Sequence, residues 1–353
     1  MFRFGDPGGR MYLTAGTSQA NIVAHWTTYN GGALTILSNG GRFTGTCIQV
    51  PFSPGNFGGL TKQLDSQSTW GIAFALKISG LSGGIAPIAV LSDSGTIQTC
   101  LIVNANNTLS VCRGSTSTVL ATSTFTLPTN VWVHVEWKTT LNNTAGSYEV
   151  RINGSAKIGP TTNANTISTA NSTANQIGVT GGTGSVNFNF DDIIIYDGQA
   201  TDAAGNPDIH DFIGDCSLTW LMPNGAGTYT NFTADSGSNY ARVNEATPDG
   251  NTSYVEASTV GTKDSYLLTD LAGTVTNVKS VALCHYAERT DVGAKQLGAM
   301  IRTNSTDYIH PTGIDLNNGY AYSFRNWGSN PKTSTAWTAS DINALEIGQV
   351  VNT

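Results

Sequence analysis

Carboxylates that could act in pairs are the first residues to consider, because glycoside hydrolysis uses one carboxyl group as acid and a second as base or nucleophile. The predicted strands offer Glu136 and Glu149, each alone among apolar or neutral neighbours. Asp191 and Asp192 are adjacent, so in a regular strand their side chains point to opposite faces. No predicted strand carries two carboxylates on one face. The sequence therefore predicts a protein that is not an enzyme and has no catalytic residues.

The same aspartates are the candidates for a metal site. Calcium takes roughly six to eight oxygen ligands, and Asp191 and Asp192 could supply two of them. The alternative is that these carboxylates accept hydrogen bonds from backbone amides at the start of a strand. The sequence favours this alternative, and we expect neither a metal ion nor a cofactor.

Aromatic side chains flanked by turn residues are candidates for sugar binding. A ring packs against the apolar side of a sugar while Asn and Asp side chains bond its hydroxyls. The candidate glycan contacts are Trp26, Tyr29, Tyr229, Phe232, Tyr320, Phe324 and Trp327. The alternative for each is packing against another domain or another protein copy. Packing is preferred outright for Trp132, Trp137, Trp220 and Trp337.

Cysteine spacing argues against both a disulfide framework and a zinc site, because the chain has 5 Cys, widely separated. One pair stands apart. In TIQTCLIVNANNTLSVC the turn centres near Asn106, which places Cys100 and Cys112 opposite each other on an antiparallel hairpin. Two reduced, half-buried thiols are the favoured interpretation. A disulfide formed in an oxidising medium is the alternative.

Charge and hydropathy exclude several function classes. The chain of 353 residues has 17 Lys+Arg and a formal net charge of -7, so it lacks the basic surface that nucleic acid or an anionic membrane requires. No segment approaches the roughly 18 apolar residues of a membrane helix. The N-terminal residues resemble no signal peptide. We expect a soluble protein that is synthesised in a cytoplasm and does not insert into a membrane.

Short alternating runs bounded by Gly, Asn, Asp and Ser predict strands throughout, and an all-β fold. The clearest runs are residues 70–79, 86–93, 98–104, 109–114, 131–140, 146–154, 175–181 and 187–197. A small, polar, Gly/Pro-bearing stretch follows them. It predicts a linker at 199–207 between a sandwich domain at 1–198 and a second, smaller β-sandwich at 208–353.

In the second domain the strand pattern resumes in CSLTWLM, NYARVNE, SYVEAST, DSYLLTDL and the runs that follow, and the Gly/Asn/Asp runs between them, such as PNGAG, are interpreted as hairpin turns. One helix is predicted over ASDINALE, with Thr338 as its N-cap. In the first domain, alternation along VWVHVEWK places Val131, Val133, Val135 and Trp137 on the core face. His134 is then expected on a half-exposed sheet surface.

The first part of the chain resembles the concanavalin A-like lectin/glucanase (laminin-G-like) jelly roll. WGIAFALKI, VWVHVEW, YEVRING and FNFDDIIIYDG carry this resemblance over roughly residues 20–198. It implies a jelly-roll β-sandwich. Several lectins of this fold bind calcium, whereas glucanases of this fold carry acidic residues close together on one strand, which this sequence lacks.

The second part resembles a domain that recurs in tailed-bacteriophage virion proteins. The resemblance lies in DFIGDCSLTWLMPNGAG, in NYARVNEATPDGNTSYV and in NPKTSTAWTASDINALEIGQVV. The chain departs from that pattern at Asn251, where many members have Asp, and at Ser334, where Gly is usual. The resemblance implies a minor structural protein of a phage particle, of capsid-decoration, head-fibre or tail type.

Composition and resemblance together predict a structural component of a tailed-phage virion. Its partners are then other copies of itself, as a homo-oligomer, and other capsid or tail proteins. The alternative function is a host-surface adhesin on the phage head or tail whose loops bind a glycan. Both functions place the finished protein in the virion.

Overall fold

The computed structural model describes residues 12–14, 26, 28–30, 35–43, 45–50, 59–80, 84–181, 188–201, 209–245 and 247–353. Its secondary structure is almost entirely antiparallel strand, which confirms the all-β prediction. The chain folds into two compact units. The first holds the described residues up to Gly198 together with His210–Leu218, and the second includes Thr219–Thr353.

The first unit is a sandwich of two sheets. Within the described residues, the larger sheet has the order β13-β12-β11-β6-β15-β4-β3, with β1 paired to β15. Its strands are β1 (Tyr12–Thr14), β3 (Thr35–Ser38), β4 (Thr46–Val50), β6 (Thr69–Ile78), β11 (Val133–Thr140), β12 (Gly146–Ile152), β13 (Ser155–Ala164) and β15 (Phe188–Asp197).

The second sheet of the first unit has the order β10-β9-β8-β7-β14-β5-β2 in the same described part of the chain. Its strands are β2 (Thr28–Asn30), β5 (Gly59–Gln67), β7 (Ala86–Asp93), β8 (Thr96–Val103), β9 (Thr108–Arg113), β10 (Val119–Thr126) and β14 (Ala174–Thr180). These ranges confirm every strand predicted between residues 70 and 197, with boundaries that shift by one or two residues.

The core of the first unit lies between these sheets because alternate residues of each strand point inward. Trp70, Phe74 and Trp137 are among its fully buried side chains, together with Phe188 and Phe190. On β11 the predicted core face is confirmed for Val133, Val135 and Trp137, but not for Val131, which is exposed and precedes the strand.

The second unit is built on a six-stranded sheet of order β16-β19-β25-β21-β22, with β23 paired to β21. Its strands are β16 (Pro223–Thr230), β19 (Lys263–Leu268), β21 (Gln296–Thr303), β22 (Thr306–Ile309), β23 (Ile314–Asp315) and β25 (Glu346–Val351). Two ribbons accompany it: β17 (Thr233–Ala234) with β18 (Val255–Glu256), and β20 (Val281–Ala287) with β24 (Ala321–Trp327).

The helices of the second unit are short. Two 3-10 helices span Asn239–Arg242 and Gly250–Thr252, and α1 spans Ala339–Asn343. The predicted cap is confirmed, since Thr338 Oγ1 accepts from Asp341 N at 3.1 Å and Asp341 Oδ2 accepts from Thr338 N at 2.9 Å. The helix ends earlier than predicted. Its Ile342 packs into a core with Leu283, Ile301, Trp327 and Trp337.

Three predictions about residues 216–245 are wrong. NYARVNE contains a 3-10 helix in place of a strand, and CSLTWLM forms no regular strand. The PNGAG run, interpreted as a hairpin turn, lies within the edge strand β16. Its alternate residues from Asn224 to Thr230 are exposed, and Gly227 lies so close to β19 that a Cβ there would be 2.4 Å from Ser265 Oγ. The glycines thus permit a close approach to the neighbouring strand at a place where the composition indicated a turn.

A second glycine is required inside the larger sheet of the first unit. A Cβ at Gly71 would lie 2.1 Å from ring carbons of Tyr196, a residue with no exposed surface. We expect Gly71→Ala to lower the free energy of unfolding by about 1–3 kcal/mol, because the buried ring has to move. Urea denaturation measures this. Gly225→Ala, whose Cβ would meet nothing nearer than 3.5 Å, is the matched control. Equal midpoints for the two variants would contradict the prediction.

Candidate functional site

The outer face of the larger sheet, turned away from the core, gathers the polar residues of the first unit. The central strand β6 contributes a floor of small residues, Gly71, Ala73 and Ala75. Neighbouring strands flank this floor in three rows: His134 and Asp191 on either side of Ala75, Glu136 and Ile194 beside Ala73, and Lys138 and Tyr196 beside Gly71. This register forms a trough one strand wide.

Residues His210–Leu218, which we name the strap, lie on this outer face. The centre of the strap is held by Glu136, whose Oε1 accepts from Ile213 N at 2.7 Å and from Gly214 N at 3.0 Å. Glu136 has no exposed surface. A buried carboxylate is tolerated when hydrogen bonds replace its lost hydration, and two adjacent backbone amides supply those bonds here.

Further contacts fix both ends of the strap. At its start, Lys138 Nζ donates to Asp211 Oδ1 at 3.0 Å, and the Arg151 guanidinium lies 3.8 Å from the centre of the Phe212 ring. At its end, Arg42 pairs with Asp215 and donates to Cys216 O at 3.2 Å, and Leu218 N donates to Asp192 Oδ1 at 2.8 Å. Side chains from three strands and one turn therefore hold a single extended segment.

The sequence assigned the strap to the second domain, and DFIGD was part of the phage-type resemblance. In the structure the same residues complete the first unit. The physical reason is complementarity, since Asp211 and Asp215 meet Lys138 and Arg42 while the Ile213 and Gly214 amides meet Glu136. The linker predicted at 199–207 lies largely outside the described residues.

The strap changes the environment of His134, which the sequence placed on a half-exposed surface. That expectation is wrong: His134 has no exposed surface, and its ring nitrogens have no hydrogen-bond partner among the described residues. Burial lowers the pKa of His134 to about 4, the nearby Arg42 lowers it further, and Asp215 opposes the shift. The imidazole is therefore neutral at physiological pH.

The side chains of the two adjacent aspartates, Asp191 and Asp192, both make contacts on the outer face of the sheet. A bulge between Asp191 and Ile194, with Asp192 at φ 51°, breaks the regular alternation, so the prediction of opposite faces is wrong. Asp191 Oδ2 accepts from Arg42 N at 2.8 Å, and Asp192 accepts from the strap. Both carboxylates therefore accept from backbone amides as interpreted, but these amides belong to Arg42 and to the strap and not to the start of a strand. Burial raises the pKa of Asp192 to about 6, opposed in part by the Leu218 amide and by the charge of Arg42.

The two glutamates considered for catalysis both have structural partners on this face. Ile194 stands opposite Glu136 across Ala73, and Glu149, on the neighbouring strand β12, pairs with Arg151 at 2.7 Å. Among the residues that the structure describes, no three His, Cys, Asp or Glu side chains are arranged to hold a metal ion. In the described ranges no helix is long and apolar enough to cross a bilayer.

The predicted cysteine pair has the predicted register. Cys100 and Cys112 are direct partners on β8 and β9, and both are free, buried thiols. Gly114 N donates to Gln98 O at 2.9 Å, so Cys100 and Cys112, two residues further along, occupy a hydrogen-bonded position, where partners on antiparallel strands are furthest apart. The Cα separation at such a position, about 5.5 Å, lies within the range that a disulfide spans.

The aromatic candidates do not form one site. Trp26, Phe232 and Trp327 are buried in cores at 6–8% exposure, so they present no ring to a ligand. The Tyr29 side chain lies outside the described residues. Tyr229 donates to Asp307 Oδ2 at 2.7 Å beside Lys263 and Arg302, in an ion-pair network. Among the tryptophans expected to pack, Trp137 and Trp337 are buried, whereas Trp220 is 43% exposed.

Tyr320 and Phe324 belong to an aromatic surface that the sequence identified only in part. On the β20–β24 ribbon Tyr286 is the cross-strand partner of Tyr322. Tyr286 and Tyr320 stack at 5.0 Å with 15° between ring planes, and Tyr286 and Tyr322 are 4.6 Å apart. We name Tyr286, Tyr320, Tyr322 and Phe324 the tyrosine face. The spacing i, i+2, i+4 from Tyr320 to Phe324 was the signal that could have revealed it.

Comparison with known proteins finds solved structures that resemble part of this chain. No protein-family model matches the sequence, and no curated protein matches it. Among solved structures, domain 4 of AbnA, a GH43 extracellular arabinanase from Geobacillus stearothermophilus in complex with arabinotriose, has 17% identity, covers 55% of this chain and 84% of that domain, and has a TM-score of 0.33. Trypanosoma rangeli sialidase has 13% identity over 48% of this chain, with a TM-score of 0.32, and the chain spans 29% of that enzyme.

The contact between Glu136 and the strap predicts the rate at which two strap amides exchange their hydrogens with solvent. Glu136→Ala removes the acceptor of two amides, so hydrogen exchange at residues 213 and 214 should accelerate at least about tenfold, the equivalent of one net hydrogen bond to a charge. Hydrogen–deuterium exchange measures this. Glu256→Ala, which removes an exposed strand glutamate, is the control. Unchanged exchange at both amides would show that Glu136 does not hold the strap.

The two shifted groups predict opposite pH dependences. The pKa of His134 is below its ordinary value. The contribution of this residue to the stability of the fold is therefore present above pH 6.5 and is lost as the pH falls towards 4. The pKa of Asp192 is raised, so its contribution is present below pH 3.8 and is lost as pH rises through about 6. When the pH is lowered from 7 to 5, the free energy of unfolding of His134→Gln should therefore fall by about 1–2 kcal/mol less than that of wild type. The free energy of unfolding of Asp192→Asn should fall by about 1 kcal/mol more than that of wild type. Urea denaturation at both pH values tests this; parallel profiles would contradict it.

Proposed function

We propose that the chain is a structural component of a tailed-phage virion, which acts through protein contacts and breaks no bonds. The observation that carries this proposal is the state of the outer sheet face. Its buried carboxylates, Glu136 and Asp192, are engaged by backbone amides of the strap, and Ile194 stands directly across the trough from Glu136. A face organised in this way stabilises the fold, whereas hydrolysis needs a carboxyl pair beside an accessible substrate.

The sequence resemblance supports the location in a virion. Several residues of the phage-type pattern have structural contacts. In the strap, Phe212 contacts Arg151 and Asp215 pairs with Arg42. Gly250 lies beside the Tyr320 ring, where a Cβ would be 3.6 Å away. The low charge and abundant strand surface fit permanent contacts with neighbouring copies and with capsid or tail proteins. The partners in this proposal are therefore protein subunits.

A host-surface adhesin is the second candidate function, and the tyrosine face favours it. Four aromatic side chains lie together on one side of a ribbon, with Tyr286 37% exposed and the other three half-buried. Aromatic rings that stay accessible can pack against the C–H side of a sugar. Glycan binding by the intact chain distinguishes the two functions, because a decorating component without a ligand gives none.

Purified particles test the structural proposal. An antibody against the chain should label intact phage particles at repeated positions, and mass spectrometry of those particles should recover the chain in stoichiometric amounts. Its presence in the lysate but absence from purified particles would refute a virion role. Hydrolysis of a polysaccharide by the purified chain, lost in Glu136→Gln and retained in Glu256→Gln, would refute the claim that it breaks no bonds.

A further inference from the structure

The tyrosine face is directed outward by the register of its ribbon. On β20 and β24, Leu283, His285 and Trp327 are buried, and Leu283 and Trp327 belong to the core of the second unit. Side chains alternate between the two sides of a strand, so Tyr286, Tyr322 and Phe324 lie on the opposite side. The rings are thus placed outside the core by the same alternation that buries Trp327.

Polar groups border the aromatic rings on one side. Tyr320 Oη donates to Asn251 Oδ1 at 3.0 Å, which leaves the Asn251 amide nitrogen as a donor on an exposed residue. Asp249 lies in the same loop, where its Oδ1 accepts from Ser253 N at 3.1 Å. Together with the phenol hydroxyls, these groups offer both donors and acceptors beside aromatic carbon. Sugars require this combination, since a pyranose has an apolar C–H side and a rim of hydroxyls.

The size of the surface distinguishes a sugar from a protein partner. A buried aromatic side chain covers roughly 150–250 Å², and these four are already largely covered, so together they expose on the order of 200 Å². A stable protein interface needs about 800 Å² from each partner. The tyrosine face falls well short of that area but is large enough for one or two sugar rings.

The local charge selects among sugars. Burial raises the pKa of the Tyr320 phenol, and the nearby carboxylates of Glu288 and Asp249 add to that shift. Burial also raises the pKa of Tyr322 to about 12. A negative border repels sialic acid, uronic acids and phosphate-bearing polymers.

From this arrangement we propose that the tyrosine face is a binding site for neutral or N-acetylated hexose units of a surface glycan. Aromatic carbon of Tyr286 and Tyr322 contacts the C–H side of the sugar. The amide of Asn251 and the carboxylates of Asp249 and Glu288 bond its hydroxyl or acetamido groups. The inference rests on the adhesin form of the proposed function and gives that function its location and its ligand class.

The test uses the full chain and saturation-transfer NMR with three neutral probe sets, cello-, malto- and chito-oligosaccharides, and a fourth set of sialylated oligosaccharides. Binding of at least one neutral or N-acetylated set is expected, with none to the sialylated set. Tyr286→Ala and Tyr322→Ala should each weaken that binding about tenfold, because an aromatic contact of about 1.4 kcal/mol corresponds to that factor. Tyr286→Phe should retain most of the binding.

Trp220→Ala is the matched control, since it removes another exposed aromatic side chain of the second unit. Its affinity should equal that of wild type, and circular dichroism should show the same fold for every variant. Three outcomes would overturn the proposal: no binding to any neutral set, preferential binding of sialylated glycans, or binding that Tyr286→Ala and Tyr322→Ala leave unchanged. Incorporation of Tyr286→Ala chain into particles, scored separately, distinguishes loss of this site from failure of the virion assignment.

Discussion

Much of the first unit depends on one buried charge, the carboxylate of Glu136. In a region of low dielectric a carboxylate requires donors that replace water, and the adjacent amides of Ile213 and Gly214 supply them. Those amides in turn have their partner inside the fold, although the strap joins no sheet. Removing either side would leave the other buried and unsatisfied, which is far more costly than the net value of the bonds.

The floor of the trough explains why a segment of backbone can approach that charge. Gly71, Ala73 and Ala75 project little from β6, so the taller residues of β11 and β15 rise on either side. Tyr196 lies over Gly71, and Arg42 closes the far end by binding Asp215 and approaching Asp192 at 4.0 Å. The buried, neutral His134 is a consequence of this closure, which explains why a histidine on the outer side of a sheet has a depressed pKa.

The two units use their surfaces differently, and this difference guides the functional proposals. In the first unit the polar side chains of the outer sheet face bond to the strap of the same unit, so this face contributes to stability. In the second unit the β20–β24 ribbon leaves four aromatic side chains partly exposed beside acids and an amide. The proposed glycan site therefore lies in the second unit, and both proposals describe a protein that binds other molecules.

The sequence by itself determined the strands predicted between residues 70 and 197, because alternation with a period of two and turn residues between runs are local properties. It also determined the Thr338 cap, the register of Cys100 with Cys112 and the core side of β11. The covering of His134, the shared role of Asp191 and Asp192 and the membership of the strap were decided by tertiary structure. Each depends on residues separated by 26 positions or more, such as Asp192 and Leu218, or on a bulge that reverses which way a side chain points. Alternation predicts two faces for every strand, but which face another segment covers is a non-local fact.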